Sequence, residues 1–132
     1  MRALIVEDTL INREFLKLIL SSFGECHVAD CGEQALDVFS GALDTAPFDI
    51  VFMDVMLPGI DGLETLERMR RVELGSGIPL ERGVKAIITT ALDDDEGALG
   101  AKGDMGHVWA CIPKPVCQEV VERELRSLGL IV

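Results

Sequence analysis

Five short apolar segments alternate along the chain with segments of helical periodicity, and this alternation most restricts the folds open to it. Short apolar runs bounded by polar residues are typical of buried strands. The third segment is apolar on both faces, as expected of a central strand in a parallel sheet. We predict strands over residues 3–6, 25–30, 49–53, 84–90 and 108–112.

Helical periodicity follows each predicted strand. Asp61 is placed to cap the third helix, and Pro115 fits the first turn of the last one. We predict helices over residues 9–23, 32–39, 61–72, 93–102 and 115–128. In the first of these helices, the residues predicted to face the core are Ile11, Phe15, Leu16 and Ile19.

Strands that alternate with helices form parallel sheets with helices on both faces. Right-handed crossovers leave few topologies for five such units. We therefore predict an α/β fold with a doubly wound five-stranded parallel sheet in the order 2-1-3-4-5, which is the flavodoxin-like (βα)5 arrangement. The 132 residues are the usual size of one domain, and no linker divides them, so we predict a single domain over 1–132.

The chain is strongly acidic, with a formal net charge of -11. Such a surface repels phosphate backbones and anionic lipids, which argues against direct binding to nucleic acid or membranes. No apolar run reaches the roughly 18 residues of a membrane span, and the N-terminal apolar stretch is too short for a signal peptide. We expect a cytoplasmic protein whose partners are a metal cation or a basic protein.

Polar side chains follow the predicted strands at one end of the sheet. Because the carboxyl ends of parallel strands meet at one crevice, where ligands bind, these side chains should lie close together. The residues concerned are Glu7, Asp8, Asp54, Thr89, Thr90 and Lys114.

Three carboxylates in one crevice repel one another unless a proton or a cation intervenes. Carboxylate oxygens with little sulfur or imidazole nearby suit a hard ion such as Mg²⁺. Lys114 adds a second positive charge and Thr90 a hydroxyl group. A cation, an ammonium group and a hydroxyl group around one carboxylate, Asp54, are suited to phosphoryl transfer with Asp54 as the nucleophile.

The same residues carry a family resemblance. The segment that begins at Asp54 reads D-V-M-L-P-G-I-D-G, and the acidic pair, Thr90-Ala91 and Lys114-Pro115 occur with it in order along essentially the whole chain. This set resembles the CheY-like response regulator receiver domains of two-component signalling systems. The Asn12-Arg13 segment is similar to receivers that are attached to, or served by, hybrid histidine kinases.

The resemblance implies a signalling function. Asp54 would accept a phosphoryl group from a histidine kinase or a histidine phosphotransfer protein, and a conformational change would pass the signal to an output partner that the sequence does not identify. The domain would catalyse only its own phosphorylation and dephosphorylation, so it would not be an enzyme in the usual sense.

The resemblance also implies a ligand set for Mg²⁺. Asp8, Asp54 and the backbone carbonyl of Met56 would hold the ion, and Glu7 would act mainly through bound water. Thr90 is preferred to its neighbour because it directly precedes an alanine, as in the family. The residues that would contact the phosphoryl group are Thr90 and Lys114.

The chain departs from the family pattern at Cys111. Receivers usually have a tyrosine or phenylalanine two to three residues before the lysine, and this aromatic side chain moves inward on phosphorylation. We predict that Cys111 lies on the switch surface in place of the aromatic residue, or that the output surface works differently.

Two other classes of protein share part of this pattern. Hydrolases of the haloacid dehalogenase type also use an aspartyl nucleophile and Mg²⁺, but they require a second aspartate two residues later, where this chain has Met56. A receiver-fold interaction module that works without phosphate is the other alternative, and the complete set of polar residues argues against it.

Overall fold

The computed structural model describes residues 1–91 and 108–132. A short 3-10 turn, Leu80–Arg82, precedes the fourth strand, and the helix predicted over 93–102 lies outside the described residues. The strands are β1 Arg2–Val6, β2 Glu25–Ala29, β3 Ile50–Asp54, β4 Lys85–Thr90 and β5 Val108–Pro113. The helices are α1 Leu10–Leu20, α2 Gly32–Ala42, α3 Gly62–Gly75 and α4 Gln118–Ser127.

The five strands form one parallel sheet in the order β2-β1-β3-β4-β5, which confirms the predicted doubly wound α/β fold of flavodoxin type. The strand order reverses between β1 and β3, and the crevice outside such a switch point is where these folds bind ligands. β5 is an edge strand, which explains how its sequence tolerates Pro113. Among the described helices, none is long and apolar enough to span a bilayer.

The core consists of two apolar clusters, one on each face of the sheet. α2 and α3 cover the first cluster, and α1 and α4 cover the second. Successive side chains of β3 point alternately into the two clusters, and every residue of this strand is buried. Asp54 therefore ends a strand that is packed on both faces, so its backbone is held firmly.

The exposed face of α1 differs from the prediction. Leu16 and Ile19 are buried as predicted, but Ile11 is 78% exposed and Phe15 is also exposed. Leu20, which is fully buried, completes the core face instead. At about 100° per residue, Leu20 lies about 70° from the mean direction of Leu16 and Ile19, whereas Ile11 lies about 110° from it, so the buried arc is rotated away from Ile11.

The start of the last helix also differs from the prediction. α4 begins at Gln118, because its N-cap residue, Cys117, has extended torsions of φ -115 and ψ 151. Pro115 therefore lies before the helix and not in its first turn, and the Lys114-Pro115 peptide bond is cis. In contrast, the predicted cap of α3 is confirmed, since Asp61 Oδ1 accepts a hydrogen bond of 2.8 Å from the Glu64 amide.

The connection between β3 and α3 brings the helix start against the strand end. A Cβ atom on Gly62 would lie 2.0 Å from the Asp54 carbonyl oxygen, so only glycine fits there. The Gly62 amide donates to the Val55 carbonyl at 2.9 Å, and Gly59 supplies the positive φ of 75° that the turn requires. The glycines of this segment thus fix the loop that follows Asp54.

Candidate functional site

Three carboxylates meet at the carboxyl end of the sheet. Glu7 and Asp8 follow β1, Asp54 ends β3, and one ligand oxygen from each lies within 4.8 Å of the others. Glu7 and Asp54 are each only 2% exposed, whereas Asp8 is exposed. The predicted convergence is therefore present, and the cluster opens to solvent on the side of Asp8.

Lys114 ties the two buried carboxylates together. Its Nζ lies 2.9 Å from Glu7 Oε1 and 3.0 Å from Asp54 Oδ2. The Lys114 amide donates to the Thr90 carbonyl at 2.7 Å, which connects the segment that follows β5 to the end of β4. One ammonium group thus contacts both carboxylates from a fixed point on the main chain.

The cluster has an unusual distribution of protons. Burial and the adjacent Glu7 carboxylate raise the pKa of Asp54 from 3.8 to about 7, although Lys114 acts in the opposite direction. Burial also acts to raise the pKa of Glu7, but hydrogen bonds with Asp54 and Lys114 outweigh it, and the net shift is downward. Burial acts to lower the pKa of Lys114, but the two carboxylates raise it overall. Near neutral pH, Glu7 and Lys114 are therefore charged while Asp54 holds a proton part of the time.

The donor atoms of the cluster fit a hard divalent cation. All three ligand groups are carboxylates, which Mg²⁺ prefers to sulfur or imidazole. Glu7 Oε2 is buried and has no hydrogen-bond partner of normal geometry among the described residues, although the Asp54 and Asn12 side chains interact with this carboxylate. Such an atom is costly to bury unless a cation or its bound water satisfies it. The acidic triad is thus typical of a receiver Mg²⁺ site.

Met56 lies two residues after Asp54, in the loop that follows β3. Its amide donates to Asp54 Oδ1 at 3.2 Å, while its side chain points to solvent and is largely exposed. Thr90, the last residue of β4, is fully buried, and its hydroxyl group donates to the Ala91 carbonyl at 3.1 Å. Cys111 lies half-buried in β5, where it packs against the core cluster under α2 and α3.

One contact of the site, made by Arg13, was not predicted from the sequence. Arg13 Nη1 donates to the Glu7 carbonyl oxygen at 3.1 Å. Thr89, which was predicted to lie at this end of the sheet, pairs with Asp54 and lines a cavity of about 270 Å³ next to Lys114. The sequence did contain a signal for the Arg13 contact. Arg13 lies in the first turns of the helix that follows β1, and these turns lie near the end of that strand.

Comparisons with known proteins agree with this geometry. Residues 3–126 match the family described as "Response regulator receiver domain". The "Sensor histidine kinase RcsC" of Escherichia coli is 32% identical over 126 residues, which are 95% of this chain and 12% of that protein. The "Probable histidine kinase 2" of Oryza sativa subsp. indica is 31% identical over 106 residues, 72% of this chain and 10% of that protein. The chain thus spans about a tenth of the length of these relatives.

Solved structures show the same fold. A CheY-like response regulator receiver domain from Methylobacillus flagellatus is 27% identical and has a TM-score of 0.75, with 97% of this chain and 98% of that chain covered. A chain of a CheX-CheY-BeF3-Mg²⁺ complex from Borrelia burgdorferi, 23% identical, has a TM-score of 0.79 with 98% and 89% covered, and it supports the fold alone. On its sequence, its sheet order and its acidic cluster, this chain belongs to the response regulator receiver domain family.

Proposed function

We propose that this chain is the phosphoacceptor of a two-component or phosphorelay system and that it takes a phosphoryl group onto Asp54 with Mg²⁺. The observation that carries the proposal is the Lys114 ammonium group, which lies 3.0 Å from Asp54 Oδ2 in the carboxylate cluster. A fixed cation beside a nucleophilic carboxylate is what phosphoryl transfer requires, because catalysis of this reaction is mainly positioning and charge neutralisation.

Each residue of the cluster has a part in this proposal. An Asp54 carboxylate oxygen forms the new bond to phosphorus as the bond from phosphorus to the donor histidine nitrogen breaks, and the released imidazole takes up a proton. Lys114 offsets the charge of the phosphoryl oxygens. Glu7, Asp8 and Asp54, with the Met56 carbonyl, would hold Mg²⁺, which supplies further charge neutralisation at the phosphoryl group. Thr90 and Cys111 would act later, when the phosphorylated state is recognised.

Two alternatives differ from this proposal in what they require. A hydrolase of the haloacid dehalogenase type needs a carboxylate at position 56, where the largely exposed side chain of Met56 offers none. A module that works without phosphate needs no ammonium group shared between buried carboxylates, yet Lys114 contacts both Glu7 and Asp54.

The direct experiment is incubation of the chain with acetyl phosphate and Mg²⁺, followed by intact mass measurement. We expect a gain of one phosphoryl group that disappears when EDTA removes the metal. If no gain occurs at saturating acetyl phosphate and Mg²⁺, the phosphate-independent module becomes the better description. A gain that is unchanged in EDTA would contradict the metal assignment.

Mg²⁺ binding should depend on pH because of the proton on Asp54. With a pKa of about 7, the Asp54 carboxyl must lose its proton before it binds the ion. The fraction of molecules in which Asp54 is protonated grows as the pH falls, so binding weakens. We expect the dissociation constant of Mg²⁺, measured by calorimetry, to be about tenfold higher at pH 6 than at pH 8.

The same titration provides its own control. Between pH 8 and pH 9, Asp54 is already deprotonated, so the dissociation constant should change little. A constant that is equal at pH 6 and pH 8 would show that Asp54 is not a ligand of the ion or that its pKa is not raised.

The exposed face of α1 supports a protein as the phosphoryl donor. Ile11, Phe15 and Leu18 recur at helical spacing on this face, and Ile11 and Phe15 also line the cavity next to Lys114. Apolar side chains exposed in this pattern favour binding of another apolar surface. A donor protein that covers α1 would bring its phosphohistidine to the open side of the cluster.

We therefore expect Ile11→Glu to slow phosphoryl transfer from any phosphohistidine protein that loads the wild-type chain, by at least about tenfold. Loading by acetyl phosphate should be unchanged, because this small donor needs no docking surface. Both rates are measured by the decay of the donor's label or by intact mass.

Leu74→Glu is the matched control. Leu74 is an exposed leucine near the end of α3, whereas Asp54 lies against the start of that helix. The control should transfer phosphoryl groups at the wild-type rate from both donors. Equal slowing by both variants would show that added charge, and not the α1 surface, is responsible.

A further inference from the structure

Arg13 connects α1 to the carboxylate cluster through the main chain of Glu7. Its Nη1 donates to the Glu7 carbonyl oxygen at 3.1 Å, and the residue is half-buried. The Glu7 amide donates in turn to the Ala29 carbonyl at 3.0 Å. Both main-chain groups of Glu7 are therefore held, one by β2 and the other by a side chain of α1.

The sheet alone does not fix the direction of the acidic pair. Val6 is the last residue of β1 that pairs with either neighbouring strand, so Glu7 and Asp8 lie beyond the ladder. Their carboxylates nevertheless converge on Asp54. Lys114 holds the Glu7 side chain at 2.9 Å, and the hydrogen bond from Arg13 holds the Glu7 carbonyl from outside the ladder.

The position of Arg13 is unfavourable for the helix that carries it. α1 begins at Leu10, has no acidic residue in its first turn, and has an N-cap, Thr9, whose side chain makes no capping hydrogen bond. Because the positive end of the helix dipole lies at the N-terminus, a cation close to it destabilises the helix. The placement of Arg13 is explained by its contact with the strand end and not by helix stability.

We propose that Arg13 is a positioning residue of the metal site: by fixing the Glu7 carbonyl, it directs the Glu7 and Asp8 side chains to Asp54. This inference rests on the proposed function, since it assumes that the cluster binds Mg²⁺. Arg13 acts through Glu7 and is not itself a ligand. Groups that orient metal ligands commonly change metal affinity by tenfold or more when removed.

The alternative role for Arg13 is electrostatic, and the two roles predict opposite signs. A guanidinium group near three carboxylates repels an approaching cation, so loss of its charge alone would strengthen Mg²⁺ binding. Loss of the hydrogen bond to Glu7 would let the acidic pair turn away and would weaken binding. The sign of the change in affinity therefore separates the two roles.

The experiment measures the dissociation constants of Mg²⁺ and Ca²⁺ by calorimetry for the wild type, Arg13→Met and Lys17→Met. Lys17 is the matched control because it lies one turn later on α1, is exposed, and forms no ion pair among the described residues. For Arg13→Met we expect Mg²⁺ affinity to fall about tenfold. For Lys17→Met we expect no loss.

Ca²⁺ provides a readout that a general loss of stability would not change. Mg²⁺ demands a nearly ideal octahedron of ligands, whereas Ca²⁺ tolerates irregular geometry. Misdirected carboxylates should therefore lose more affinity for Mg²⁺ than for Ca²⁺, and the ratio of the two constants should shift in Arg13→Met. If Arg13→Met does not fold, Arg13→Gln, whose side chain is too short for the same carbonyl, replaces it with the same expectation.

The outcomes distinguish this inference from the proposed function. If the wild type binds no Mg²⁺, the proposed function itself fails. If the wild type binds Mg²⁺ and Arg13→Met binds it equally well or more tightly, only the role of Arg13 is overturned. A parallel loss of Mg²⁺ and Ca²⁺ affinity would also overturn it, because positioning predicts a change in their ratio.

Discussion

Replacement of Asp54 by alanine is expected to abolish the gain of one phosphoryl group during incubation with acetyl phosphate and Mg²⁺. Lys114 Nζ contacts Asp54 Oδ2 and Glu7 Oε1, so a phosphoryl group must bind next to one of these carboxylates to use the ammonium charge. Glu7 is a poor nucleophile, because its lowered pKa reflects a carboxylate already stabilised by hydrogen bonds. Intact mass measurement at saturating acetyl phosphate provides the test.

Asp30→Ala is the matched control for this experiment. Asp30 is an exposed carboxylate that directly follows β2, so it lies at the same edge of the sheet as Asp54. Among the ion pairs of the described residues, no lysine contacts Asp30 as Lys114 contacts Asp54. We expect this variant to gain the full phosphoryl mass. A gain that survives Asp54→Ala would assign the acceptor role to another residue, and peptide mapping would then identify it.

The sheet and the position of the acidic cluster were predictable from the sequence because they depend on local patterns. Apolar runs define the strands, and the order of the βα units leaves few ways to arrange them. Once the strands are assigned, the polar residues that follow them must share one edge of the sheet. The glycine at position 62 also has a local cause. α3 starts against the Asp54 carbonyl oxygen, and a side chain at this position would clash with it.

The buried arc of α1 was not predictable in the same way. Apolar residues occupy more than half of the circumference of this helix, so periodicity identifies an apolar face but not the part of it that the sheet covers. Packing against the second cluster selects Leu20 and leaves Ile11 in solvent. In a receiver, the surplus apolar residues are better explained by a partner than by the core.

Protonation in the cluster depends on distances that no sequence pattern contains. The sequence indicates that three carboxylates and one lysine converge, but it does not indicate which carboxyl group keeps a proton. The separation of the Asp54 and Glu7 pKa values follows from the hydrogen bond between their carboxyl groups, which raises the pKa of Asp54 and lowers that of Glu7, because burial and Lys114 act in the same direction on both groups. The Arg13 contact is of the same kind, because it depends on where the first turns of α1 lie relative to the end of β1.

A buried ion pair in α3 offers the second large effect. Arg70 and Glu73 are only 4% and 2% exposed, and Arg70 Nη1 lies 2.9 Å from Glu73 Oε1. Glu73 Oε2 also accepts a hydrogen bond of 2.7 Å from the Val84 amide, directly before β4. Glu73 thus connects α3 to the start of the strand that ends at Thr90.

We expect Glu73→Ala to lower the free energy of unfolding, measured by urea denaturation, by about 3–5 kcal/mol. Removal of this carboxylate breaks a buried ion pair with the Arg70 guanidinium and takes the acceptor away from the Val84 amide. The loss is large compared with the total stability of a domain of this size, which is of order 5–15 kcal/mol.

The exposed pair Glu67 and Arg71 on the same helix separates burial from charge as the cause. Glu67→Ala removes an equivalent carboxylate partner, but solvent screens both charges, so its cost should stay below about 1 kcal/mol. The double variant Arg70→Met with Glu73→Leu should recover at least about 2 kcal/mol relative to Glu73→Ala, because apolar side chains of similar volume leave no buried charge. If Glu73→Ala costs no more than Glu67→Ala, the buried pair does not hold β4 in place. If the double variant is no more stable than Glu73→Ala, the loss arises from a cavity or from the Val84 amide and not from the broken ion pair.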